Sequence, residues 1–100
     1  KFPDLILGDV EGTSASPGLI ETALVGLENS DYNVAHNHPF KGGYITRSFG
    51  KPMENQHALQ LEMSKLKYMK DNELEYDLER AEEVRTVLKN TFERLIDALG

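Results

Sequence analysis

Asn37, Lys41, Thr46 and Arg47 all lie in one short run, Asn37-His-Pro-Phe-Lys-Gly-Gly-Tyr-Ile-Thr-Arg-Ser-Phe-Gly50, and Glu62 follows soon after in His57-Ala-Leu-Gln-Leu-Glu-Met63. Lys41, Thr46 and Arg47 offer hydrogen-bond donors, and Gly42-Gly43 admits a close approach of backbone to a ligand. Phe40, Tyr44, Ile45 and Phe49 are apolar enough to pack the segment down, so the run is expected to form a loop that grips a ligand. Composition alone favours the plainer reading, a glycine-rich turn between two edge strands. Glu62 is the odd residue of an apolar alternating stretch. Ala58, Gln60 and Glu62 would share one face of a strand and Leu59, Leu61 and Met63 the other. A carboxylate near the end of such a strand is suited to take and return a proton near neutral pH; the plainer alternative is a glutamate at a wet strand end, paired with Lys65 or Lys67. His36 and His38, two apart on a strand, would point to the same side and could ligate one ion. The chain contains no His-x-x-Glu pair, however, and a metal site built from its residues alone is not expected. Ser14, Ser16, Ser48 and Ser64 lack the Gly-x-Ser-x-Gly context of a nucleophile elbow.

The elements that must position these residues can be read from patterning. Asp4-Leu-Ile-Leu-Gly8 is too short for a helix and is predicted to be a buried strand, with Asp9, Glu11 and the small-residue loop Gly12–Ser16 beyond its carboxyl end. Ser16 and Pro17 are placed as N-cap and first position of a helix over Pro17–Glu28, with Leu19, Ile20, Ala23, Leu24 and Leu27 as its apolar face. Gly26 would cost that helix about 1 kcal/mol relative to Ala. Tyr32–His36 is the expected second strand, so strand, helix and strand form a βαβ unit with parallel pairing. Tyr44–Arg47 is read as extended, Lys51–Asn55 as a turn region and Gln56–Ser64 as the third strand. Leu74, Leu78, Ala81, Val84, Leu88, Phe92, Leu95 and Leu99 recur at helical steps, giving a long terminal helix with Asp77 as a plausible N-cap and about 22 residues beyond it. The predicted class is α/β, with a mainly parallel open sheet of three or four strands and flanking helices.

A chain of 100 residues that is 39% hydrophobic supports one domain. No apolar run approaches the ~20 residues of a membrane span, and nothing resembles a signal peptide, so no membrane association is expected and a cytoplasmic location is. The net charge of −6 argues against nucleic acid as a partner. Charge is unevenly spread: residues 41–70 carry six basic residues (Lys41, Arg47, Lys51, Lys65, Lys67, Lys70) against Glu54 and Glu62, while both flanks are acidic. A locally positive middle suits a small anionic ligand, and ordinary charge balancing on a solvated surface would look the same.

The run from Asn37 to Gly50, followed by His57–Met63 and Tyr68-Met69, resembles the carboxyl-terminal part of N-formylglutamate amidohydrolases, and Pro3–Gly8 with Gly12-Thr-Ser14 is similar to the strand and loop that precede it there. The resemblance implies a three-layer α/β/α, zinc-carboxypeptidase-like (phosphorylase/hydrolase-like) fold, of which residues 1–100 would be the carboxyl-terminal half. It implies zinc in the complete enzyme, held by residues of the missing amino-terminal half, and a linear amide substrate such as N-formylglutamate, an anionic amino-acid derivative met in histidine breakdown. Carried over, Glu62 becomes the general base and Arg47 the fork that holds a substrate carboxylate, with Lys41, Asn37 and Thr46 as lesser polar contacts and His57 placed to orient its neighbours. The chain alone is expected to be inactive. The alternative is a non-catalytic anion-binding or assembly domain that keeps only the fold, whose open sheet edge would favour self-association.

Overall fold

The structure is a computed structural model that describes residues 3–64, 67–69, 71–72, 75 and 77–100. Leu5, Ile6 and Leu7 are buried on both faces of β1 (Leu5–Gly8), as an uninterrupted apolar run requires of a central strand. β2 (Val34–His36) lies parallel to β1 and β3 (Gln60–Met63) antiparallel, giving the order β2-β1-β3. The sheet is therefore mixed, not mainly parallel. The βαβ unit pairs as expected, but the chain returns to β1 from the opposite direction, and pairing direction is not encoded in a strand's own alternation.

The third strand is shorter than the alternation of Gln56–Ser64 suggests. Lys51 and Gln56 bridge each other across a tight 3-10 turn, Pro52–Glu54, and the Ala58 amide donates to the Ser14 carbonyl at 2.9 Å, so the chain joins β1 only from Gln60 onward. Its face assignment holds: Leu59, Leu61 and Met63 pack with Leu5 and Leu7 on the core side, while Glu62 pairs with Ile6 in the register.

Helix α1 spans Pro17–Glu28 with Pro at its start, and buries Leu19, Ile20, Ala23, Gly26 and Leu27. Helix α3 spans Leu78–Leu99, and its N-cap Asp77 accepts from the amides of Glu79 and Arg80 at 3.1 Å each, satisfying two of the free donors of the first turn. Both helices contribute to one core on the Leu5/Leu7 face, where Ala23 and Leu27 meet Val87, Leu88 and Leu95. Gly26 is where they touch: a Cβ there would lie 2.7 Å from Thr91 Oγ1. The apolar stripe of α3 is only partly covered. Ala81 and Val84 are buried, yet Leu78, Phe92 and Leu99 stand exposed; Leu74 lies outside the described residues.

Tyr44–Arg47 is not extended. Tyr44–Phe49 forms a short helix, α2, bounded by Gly43 and Gly50. Ile45 and Thr46 favour strands as residue types, but Thr46 is buried and its hydroxyl donates to the Gly43 carbonyl at 3.2 Å, a local bond that holds the turn helical. Six residues are also too few to show a helical period.

Candidate active-site face

Two side-chain clusters gather the candidate residues. The first is built on Asp9, fully buried just past the carboxyl end of β1. Its Oδ1 accepts from the Gly12 amide at 3.0 Å and from Asn37 Nδ2, and the Asp9 amide donates to Asn37 Oδ1 at 3.0 Å. Its carbonyl accepts from the amides of Thr13 and Ser14 at 3.0 Å each. These bonds fold the loop tightly enough that Val10 and Glu11 adopt left-handed φ values of 51° and 54°. Asp9 Oδ2 faces His36 Nε2 at 3.0 Å, though without a well-angled hydrogen bond to any described residue. Burial alone would push the Asp9 carboxyl up; the bonds from Asn37 and Gly12, with His36 beside it, outweigh that and hold it below its ordinary value. The pair borders a cleft of about 390 Å³ whose apolar wall is Pro17, Ile20, Leu24 and Val25.

Asn37 is thus occupied with Asp9, and its own left-handed φ of 60° ends β2. The alternation that would place His36 and His38 on one side stops there. Among the described residues no group of three His, Asp or Glu side chains is placed to hold a metal ion.

The second cluster lies on the sheet face away from α1 and α3. Gly8 has no side chain because the Lys41 carbonyl occupies the space: a Cβ would sit 2.6 Å from that oxygen, which itself accepts from the Val10 amide at 2.8 Å. The close approach lays Lys41–Gly43 across the end of β1. Gly42, at φ 130°, then turns the chain into α2. The Gly43 amide donates to Gln60 Oε1 at 2.6 Å, Thr46 Oγ1 lies 3.4 Å from the same oxygen, and Gln60 Nε2 donates to Glu62 Oε2 at 3.2 Å. Glu62 is half-buried and lines a cavity of about 290 Å³ with Pro3, Ile6, Phe40, Met63 and Ser64.

The structure therefore brings Thr46 and Glu62 together through Gln60. Arg47 stands one helical step away on α2, exposed, with Nη1 donating to the Gly42 carbonyl at 3.2 Å and no ion pair among the described residues. Lys41 is on the same loop, but its ammonium pairs with Glu11 at 2.8 Å, both side chains more than half exposed. Glu62 is not paired with Lys67, which reaches Asp4 at 3.3 Å; Lys65 lies outside the described residues. His57 is structural: Nδ1 accepts from the Ser16 amide at 3.1 Å, so its proton belongs on Nε2, 3.2 Å from Asn55 Oδ1. Sequence reasoning missed the Asp9–Asn37 clasp and Gln60. The Asp-x-x-Gly spacing of an Asx-type turn was the available signal for the first.

Comparison with known proteins follows the same lines. A family model described as N-formylglutamate amidohydrolase matches residues 1–69. N-formylglutamate deformylases of Pseudomonas putida and Pseudomonas aeruginosa are 38% and 35% identical over 98 and 100 residues, in each case covering 96% of this chain and 37% of the relative. The crystal structure of an N-formylglutamate amidohydrolase from Ralstonia eutropha superposes with a TM-score of 0.76 at 28% identity, over 98% of this chain and 34% of that one. The chain spans little more than a third of the length of these relatives.

Proposed function

The chain belongs to the N-formylglutamate amidohydrolase family, and from that membership we propose that it supplies the base and the substrate clamp of an active site for hydrolysis of an N-formyl amino acid, completed by a part of the fold outside these residues. The observation that supports this most is the placement of Glu62. It is the carboxylate on the sheet face away from α1 and α3, half-buried beside Ile6 and Phe40, and linked through Gln60 to the turn that carries Arg47. In this reading Glu62 takes a proton from water as its oxygen attacks the formyl carbon, and returns that proton to the nitrogen as the C–N bond breaks, releasing formate and the amino acid. Arg47 holds a substrate carboxylate through its free N–H groups. Lys41 adds positive charge at the same loop; its exposed pair with Glu11 is weak enough to exchange for a substrate anion.

Zinc is part of this proposal for the complete enzyme only. The described residues do not form a ligand set for it, so its ligands would come from the remainder of the fold. Phe40, Tyr44, Ile45, Phe49 and Met53 are all at least 46% exposed, which is consistent with a face that another part of the protein covers. No helix among the described residues is long and apolar enough to cross a membrane.

The test is N-formylglutamate hydrolysis by the full-length polypeptide carrying this chain, with and without Glu62→Gln. Loss of the base should lower kcat by about 10²–10⁴-fold with little change in helical circular dichroism. A variant that retains turnover within a few-fold of the parent removes Glu62 from the mechanism.

A further inference from the structure

We propose that Gln60 is a positioning residue for this reaction, acting on Glu62 and on the Arg47 turn at once. The inference rests on Glu62 being the base. The orientation of the Gln60 amide follows from its neighbours rather than from choice. A backbone N–H can only donate, so the oxygen of the Gln60 side chain must face Gly43, where it is found at 2.6 Å. The nitrogen is thereby turned toward Glu62 Oε2, 3.2 Å away. Gln60 and Glu62 sit two apart on one face of a strand, at the register positions of Gly8 and Ile6.

Two consequences follow from that arrangement. One carboxylate oxygen of Glu62 is tied down, which fixes the rotamer and leaves the other oxygen for a proton. On its other side the same amide holds Gly43, the residue before α2, with Thr46 Oγ1 at 3.4 Å, so the base and the helix that carries Arg47 share one rigid link. Gly8 opposite Gln60 makes the link possible, since its missing side chain lets Lys41–Gly43 come down onto the sheet.

Two substitutions separate the halves of the role. Gln60→Glu keeps an acceptor for the Gly43 amide but replaces the donor facing Glu62 with a second carboxylate. Gln60→Met removes both bonds at similar length. Steady-state deformylation by the full-length polypeptide is measured across pH 5–9 for the parent, both variants and Glu62→Gln. For Gln60→Glu the expected result is a near-parental KM with the acidic limb of the kcat/KM profile moved up by about one pH unit, because neighbouring carboxylates share a proton. For Gln60→Met, kcat should fall by about tenfold and KM should rise, as base and clamp both lose their shared support.

A merely structural glutamine predicts parallel losses in both variants and no movement of the pH profile. A Gln60→Glu profile that overlays the parent, or a Gln60→Met enzyme with parental kcat and KM, overturns the proposal while collapse of Glu62→Gln keeps the base reading intact. If Glu62→Gln itself retains turnover, both readings fall together.

Discussion

Replacing Asn37 tests the Asp9 clasp most directly. Asn37 makes two bonds to Asp9, one to the carboxylate and one from the amide, and does so from a left-handed backbone. Loss of a hydrogen bond to a buried charge costs about 1.5–3 kcal/mol and an orphaned amide about 1 kcal/mol more. Asn37→Gly removes these bonds while tolerating φ 60°, so about 2.5–4 kcal/mol of destabilisation is expected at pH 7; Asn37→Ala adds about 1 kcal/mol of backbone strain. The pH dependence carries the sharper signature. Asp9 is held below its ordinary value, so its stabilising contribution is present above the unfolded value near ~3.9 and is lost as pH falls through its own lower value. Without Asn37 the largest opposing effect to burial is gone and the Asp9 carboxyl shifts upward. Ionised Asp9 then stabilises the variant less than it does the parent, and acidification, which removes that contribution, closes the difference. The gap between parent and variant should be full near neutral pH and narrow below about pH 4. Urea unfolding at several pH values between 3 and 7 measures it. A gap below about 0.5 kcal/mol, or one that does not change with pH, refutes the account of Asp9 as a buried, Asn37-held carboxylate.

Gly26→Ala should destabilise by about 1–3 kcal/mol although helix propensity alone favours Ala by about 1 kcal/mol, because the added Cβ meets Thr91 at 2.7 Å; thermal unfolding would show the sign. Gly8→Ala places a Cβ 2.6 Å from the Lys41 carbonyl, so it should lower stability by about 2 kcal/mol and shift the Gly43 amide resonance, since the loop must lift from the sheet. Asp77→Ala should cost about 1 kcal/mol and speed amide exchange at Glu79 and Arg80, whose donors it leaves uncapped.

The local signals in the chain were the legible ones. Pro17 and the spacing of Leu19, Ile20, Ala23 and Leu27 mark α1 to its ends, and Asp77 marks the start of α3, because caps and periodicity act within a few residues. The alternation around Gln60 and Glu62 correctly separates the two faces of β3. What depended on distant residues was hidden. The direction of β3 is settled by its pairing with residues near the start of the chain, and the commitment of Asn37 to Asp9 spans 28 positions. Helix α2 was missed for a different reason: its strand-favouring Ile45 and Thr46 are overridden by a bond from the Thr46 hydroxyl and by flanking Gly43 and Gly50, a pattern without period. Gly26 was legible only as a cost, since its value lies in a neighbour on another helix.

The central position of the first strand has a consequence in time. β1 precedes both of its partners in the chain, β2 closely and β3 by roughly 55 residues, so its two edges are satisfied in order of synthesis, β3 last. At about 5–20 residues per second, an emerging chain would carry Leu5–Gly8 for several seconds before Gln60–Met63 exists to close over it. During that interval, among the described elements, the apolar run Leu5–Leu7 has β2 and α1 beside it but not yet β3. The strand that bears Glu62 is thus also the piece whose arrival closes the second edge of β1.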